Sequence, residues 1–191
     1  MDIVITVGSG RISSLKWTGS SSVRNAEEKG RPEQLIVDSM LGSTARKLRM
    51  FGFDVIYFNS IDDAELLRLG MQRTLITCDE ELYARAIKKG ESAIIVKGIG
   101  EVSRLKMIFG GLRVIPSLSH SRCTSCNGEL ELVPKSVLNG IPPKVLEIHR
   151  RFYRCRNCGK VYWAGSHWIK MRRLAYRLKS SQLRRTMPEL Q

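Results

Sequence analysis

Residues 35–58 read Leu35-Ile-Val-Asp38-Ser-Met-Leu-Gly42-Ser-Thr-Ala-Arg46-Lys-Leu48-Arg49-Met-Phe51-Gly52-Phe-Asp54-Val-Ile-Tyr-Phe58. A short apolar run ends in a carboxylate. Apolar residues then recur at 41, 45, 48 and 51, the spacing of one helical face, and Gly52 closes the segment. A second apolar run spans Asp54 to Phe58. Two continuously apolar strands joined by an amphipathic helix predict a parallel pair covered on both faces.

The pattern repeats downstream. Asp62 to Leu69 predicts a short helix, Thr74 to Cys78 a strand, and Asp79 to Lys89 a helix closed by Gly90. Ser92 to Val96 predicts a further strand and Val102 to Phe109 a further helix. The fold class is therefore α/β, a parallel sheet flanked by helices over residues 34–115. Upstream, Ile3 to Val7 has the composition of a strand. Thr18-Gly-Ser-Ser-Ser22 has that of a linker, so residues 1–33 are expected to be a flexible extension.

Carboxylates collect at one end of this expected sheet. Ligands of open α/β folds sit beyond the carboxyl ends of the strands. Asp38 ends the first strand, Asp62 and Asp63 open the helix after the second, and Asp79, Glu80 and Glu81 open the helix after the third. Asp54 begins its strand and falls on the opposite edge. Like charges brought together call for a cation, and hard oxygen ligands suit Mg²⁺ or Mn²⁺, which can activate water against a phosphodiester. Asp62 and Asp79 also suit helix N-caps, and Glu80 and Glu81 suit a first turn by dipole. Asp38, at the end of a buried strand, is expected to have no capping role. Arg46 and Arg49, on the helix after Asp38, are candidates to hold a phosphate or to neutralise that carboxylate.

The second half carries different chemistry. Cys123-x-x-Cys126-Asn-Gly128 and Cys155-x-x-Cys158-Gly159 can each give two thiolates to one tetrahedral ion, the arrangement of structural zinc. Two disulfides or two redox pairs are the alternatives. The N-terminus shows no secretory pattern, so a reducing, cytoplasmic setting is expected. No apolar run approaches the ~20 residues of a membrane span. Residues 116–191 are expected to form a small zinc ribbon ending in a basic helix, Ile169 to Leu183. Phe152, Tyr153, Tyr162, Trp163 and Trp168 would form its core or stack on unpaired bases. The fifth cysteine, Cys78, lies in an apolar run and is expected to be buried and inert.

Charge is divided as sharply as the motifs. The net charge is +14, yet residues 35–110 hold eleven Lys/Arg against ten Asp/Glu, while residues 111–191 hold sixteen against four. A basic lobe joined to a carboxylate-rich one predicts a polyanionic partner, nucleic acid, gripped by one and presented to the other.

Two separate stretches are similar to one known family. Ile36-Val-Asp38-Ser-Met-Leu-Gly42, Ala45-Arg46-x-Leu48-Arg49-x-x-Gly52, Asp63-x-Glu65-Leu-Leu67 and Leu75-Ile-Thr77-x-Asp79-x-x-Leu82 resemble the Mut7-C family, a PIN-like ribonuclease domain. Cys123-x-x-Cys126-Asn-Gly128 and Phe152-Tyr-Arg-Cys155-x-x-Cys158-Gly-x-Val-Tyr-Trp163-x-Gly165-Ser-His-Trp168 resemble its zinc ribbon. The resemblance implies a PIN-like fold and metal-dependent RNA cleavage, with Asp38, Asp63 and Asp79 as the metal-binding acids and Arg46 and Arg49 near them. PIN nucleases commonly carry a further acid after the fourth strand; here Lys97 stands in that region and Glu101 is the nearest substitute. Asp62, Glu81 and Glu101 are thus additional candidate acids. The expectation is a metal-dependent endoribonuclease. The alternative is a non-catalytic RNA-binding or assembly factor with a degenerate site.

Overall fold

The computed structural model describes residues 24–25, 33–98 and 100–186. The expected flexible extension, with its Ile3 to Val7 strand and its linker, lies outside the described residues apart from 24, 25 and 33.

The body of the fold is a four-stranded parallel sheet of β2 (Gln34–Val37), β3 (Asp54–Tyr57), β4 (Thr74–Thr77) and β5 (Ala93–Ile95), in the order β3-β2-β4-β5. It alternates with α1 (Gly42–Met50), α2 (Asp63–Leu69), α3 (Glu80–Lys88) and α4 (Glu101–Leu112). The two-residue strand β1 (Arg24–Asn25) pairs in parallel with β6 (Val114–Ile115), apart from the main sheet.

The period of two along each strand sorts the core into two layers. Leu35, Val37, Val55 and Ile76 point to one face, where they meet Leu41, Ala45 and Leu48 of the α1 region and Leu105, Ile108 and Phe109 of α4. Ile36, Leu75 and Ala93 share a row on the other face, under Leu66 and Leu67 of α2 and Leu82 and Ala86 of α3. All of these are buried, and each large side chain contributes about 1.5–3 kcal/mol relative to exposure.

The cysteine-bearing segment is an antiparallel sheet of β7 (Leu130–Val133), β8 (Phe152–Cys155) and β9 (Val161–Trp163), with a short helix α5 (Pro143–Ile148) between the first two. Phe152 is fully buried, with Trp163 at 6.3 Å between ring centroids, so these two aromatics form core. The closing helix α6 (Ser166–Thr186) departs from the expected domain boundary at residue 116. Its Met171 and Leu178 are buried in the first layer of the α/β body, against α4. The chain leaves that body, builds the ribbon, and returns to complete it.

The ribbon is also fixed to the edge strand β3. Asn127 accepts a hydrogen bond from the Val55 amide at 3.0 Å and donates to Asp54 at 2.7 Å. Asp54 additionally accepts from Arg73 at 3.2 Å. Burial raises the Asp54 pKa, but the bonds from Arg73 and Asn127 outweigh it and hold the carboxyl below its ordinary 3.8. A depressed folded-state pKa gives stability that is present above the unfolded value and lost as pH falls through the folded one. Asp54→Asn should therefore be less stable than wild type near neutrality. The gap should close only below pH 3.8, as read from unfolding curves of both proteins across pH.

Candidate acidic site and zinc centre

Strand order positions the acids. From β2 the chain turns toward β3, and from β4 toward β5, so direction reverses between the carboxyl ends of β2 and β4. That reversal is where an open α/β sheet forms its crevice. Asp38 follows β2 and Asp79 follows β4, one on each side of it.

Thr77, the last residue of β4, joins the two. It is fully buried, and its hydroxyl donates to Asp38 Oδ2 at 2.8 Å while accepting from the Asp79 amide at 3.0 Å. Asp38 itself is only 6% exposed. Its Oδ1 accepts from the Ser39 hydroxyl and the Met40 amide, each at 3.3 Å, so it caps the 3-10 turn at residues 39–41. This corrects the expectation that Asp38 caps nothing; the turn between β2 and α1 was not visible as helix in the sequence. Asp79 caps α3 through Oδ1, which accepts from Leu82 N at 2.9 Å. Tyr57 steadies the same loop by donating to the Ser39 carbonyl at 3.1 Å. Gly42 permits this, because a Cβ there would collide with the Tyr57 hydroxyl.

The remaining candidates are distributed around this pair. Asp63, in the first turn of α2, is paired with Arg85 of α3. Asp62 caps α2 by accepting from Ala64 N and Glu65 N, and Glu81 is exposed in the first turn of α3. Glu101, at the start of α4, accepts from the Ser43 hydroxyl of α1 and faces Lys47 at 3.6 Å. Lys97 is paired with Glu80 at 2.6 Å. Among the described residues no three acids converge as closely as the cysteines do. Asp38 and Asp79 are the pair that the backbone and Thr77 hold together. A hydrated Mg²⁺ commonly takes one or two protein carboxylates and fills its shell with water and substrate oxygens, so these two acids are the candidates to hold one hard cation.

Arg46 is exposed and makes no ion pair among the described residues. Arg49 is a correction. It is 6% exposed and points away from Asp38, donating to the Val55 carbonyl at 3.0 and 3.3 Å and to the Thr124 and Ser125 carbonyls at 3.1 Å. Burial lowers its pKa, opposed by the Cys123 and Cys126 sulfurs. Its fork is spent on fixing the first zinc knuckle to β3, and no donor reaches toward a substrate. Three residues to which the sequence assigned no role bear on this region: Thr77 beside Asp38, Lys47 beside Glu101, and Arg104 near Cys78. Cys78 reports Arg104's position. Burial and the Asp38 carboxylate push that half-buried thiol up, while Arg104 draws it down. The signal for Lys47 and Arg104 was their helical spacing from Ser43 and Glu101.

The four cysteines form a second centre. Their sulfurs all lie within 4.8 Å of one another, with 3.4 Å between Cys126 and Cys155 and 3.6 Å between Cys123 and Cys158. A zinc tetrahedron with ~2.3 Å bonds has sulfur edges of about 3.8 Å, so the set fits that ion. Burial raises the Cys123 pKa, but the Tyr162 hydroxyl and nearby amides overcome it and draw the thiol down to about 6. Desolvation and the neighbouring sulfurs push Cys126 up to about 12. Gly128 is required here, since a Cβ would meet Cys155 Sγ at 2.8 Å.

No helix among the described residues is long and apolar enough to cross a membrane. No curated protein matches the chain. Residues 33–175 match the family model of the Mut7-C RNAse domain, a span that takes in both the acidic crevice and the four cysteines. With three quarters of its length inside that match, the chain belongs to the Mut7-C RNAse domain family.

Proposed function

We propose that this chain is a divalent-ion-dependent endoribonuclease that hydrolyses RNA phosphodiester bonds in the Asp38–Asp79 crevice. One observation carries the reading. Two acidic residues following separate strands flank the sheet's reversal point, with the buried Thr77 hydroxyl bonding the carboxylate of one and the backbone amide of the other, in a chain of an RNAse family. Bound between them, Mg²⁺ or Mn²⁺ would supply water activation and charge compensation.

The protein's own groups do the rest. Thr77 fixes the Asp38 carboxylate so that one orientation faces the crevice. Lys47 and Arg104 would offset the charge of an entering phosphate, and the exposed Arg46 of α1 would add to it. Asp63 and Glu101 are held by Arg85 and by Ser43 and Lys47, and would join only after breaking those contacts. Phe58 follows the residue paired with Val37 and so stands beside Asp38; it is 40% exposed, and Met40 next to Asp38 is 74% exposed. Unpaired nucleobases would cover both. Thiolate ligation of zinc needs reduced cysteines, which suits the cytoplasm.

A second reading keeps RNA binding without catalysis. It is favoured by the engagement of Asp63 with Arg85 and by Lys97 standing where a further acid is expected. Labelled linear and circular RNA, incubated with zinc-loaded protein with and without added Mg²⁺ or Mn²⁺, separates the two. The hydrolase reading expects both substrates to be cut only with the added ion. Binding without any cut would overturn it in favour of the second.

A further inference from the structure

The positive charge of the C-terminal half falls into two populations. Beside the cysteine knuckles three arginines are paired with two glutamates. Arg122 and Arg156 face Glu129 at 3.9 and 3.7 Å, and Arg154 and Arg156 face Glu131 at 3.2 and 3.3 Å. Helix α6 is different. It has no acidic residue from Ser166 to Thr186. Its Lys170, Arg172, Arg173, Arg177 and Lys179 are exposed and form no ion pair among the described residues. Its apolar side is spent on α4, so the cationic side faces solvent.

Between those two helices lies an open surface cavity of about 230 Å³, lined by Lys106 of α4 and by Arg177, Ser180 and Ser181 of α6. Lys106 is half-buried and has no acidic partner among the described residues. Arg177 brings a second cation to the same space. Two like charges in one cavity repel unless an anion sits with them. The serine hydroxyls donate within their own helix, Ser180 to the Arg177 carbonyl at 3.1 Å and Ser181 to the Leu178 carbonyl at 2.8 Å. The cavity is therefore short of negative charge. It is smaller than the several-hundred-Å³ clefts that take organic ligands, a size suited to a phosphate group.

We propose that this cavity holds a backbone phosphate of single-stranded RNA, away from the bond that is cut. Only the placement of the cut rests on the hydrolase reading; the binding does not. Lys106 follows Glu101 by five residues, an axial rise of about 7.5 Å along α4, and is turned to another side of that helix. Tyr176, 75% exposed and next to Arg177, offers an unpaired base a stacking surface, which a lipid headgroup would not use.

The test uses full-length, zinc-loaded protein and fluorescein-labelled oligouridylate, titrated over a range of salt without added divalent ion. Lys106→Ala and Arg177→Ala should each weaken binding about tenfold at low salt and flatten the plot of log affinity against log salt by about 0.7, one phosphate contact. Arg177→Lys should keep the wild-type slope. Lys89→Ala, on the far side of the sheet, should change nothing. Unchanged slopes in both alanine variants, with melting temperatures intact, would overturn the proposal. So would loss of binding to phosphatidylglycerol vesicles in the variants with RNA affinity untouched. Cleavage is scored separately. RNA held through this cavity but never cut leaves the inference standing and removes the hydrolase reading. Cutting with unaltered slopes does the reverse.

Discussion

Asp38→Asn is expected to lower the rate of ion-dependent RNA hydrolysis by at least about 100-fold, the effect of losing several kcal/mol of charge stabilisation in the transition state. The substitution is nearly isosteric. Asparagine keeps one acceptor for the Ser39 hydroxyl and the Met40 amide, and its NH₂ can donate to Thr77, whose hydroxyl has a second lone pair to offer. The fold should therefore survive, and removing a buried charge could even raise the melting temperature. What disappears is the negative charge at the carboxyl end of β2. The measurement is kcat/KM on labelled RNA in Mn²⁺, beside melting temperature and zinc content. A variant that cuts at the wild-type rate would end the assignment of the site to this crevice. Asp79→Asn should behave alike in rate, and because asparagine caps a helix about as well as aspartate, α3 should keep its cap.

Removal of zinc should have the largest effect on stability. Structural zinc sites contribute about 10–16 kcal/mol of apparent binding energy, which in such modules is folding energy. The ribbon's aromatic core is small, centred on Phe152 and Trp163, and cannot replace that. Chelation, or Cys155→Ser at the buried ligand, should melt the ribbon and carry damage into the α/β body. The route is specific. With the knuckle gone, Arg49 loses the Thr124 and Ser125 carbonyls and the Val55 amide loses Asn127. Hydrogen exchange at the Val55 amide should then speed up along with the ribbon amides. Amides of β4, in the middle of the sheet, should respond less. If chelation released zinc yet left unfolding and the Val55 exchange rate as they were, the knuckle would not be supporting the edge strand.

Much of this is legible in the sequence. Continuous apolar runs marked β2 to β5, and the glycines at 52 and 90 marked helix ends, because both signals are local. The four cysteines were legible because zinc demands a fixed spacing. Arg49 was misread for the opposite reason. Its helix position could serve either the crevice or the ribbon, and only the docking of a segment far along the chain decides which. Thr77 went unnoticed because threonine at the end of a strand is ordinary β-former composition; its role comes from the register that sets it between Asp38 and Asp79. The return of α6 was also hidden, since an amphipathic helix does not state which surface it will cover. Its lack of acids was plain in the sequence, but that the knuckle arginines are paired and these cations are not required Glu129 and Glu131 to be placed.

The return of α6 to α4 has a practical consequence. A chain cut after residue 115 would expose Leu105, Ile108 and Phe109 along the groove that Met171 and Leu178 fill, and would leave β3 without its clasp. Neither fragment could be grafted onto a foreign partner as a self-sufficient unit. A chimera between relatives would therefore have to exchange the α/β body, the ribbon and α6 at once.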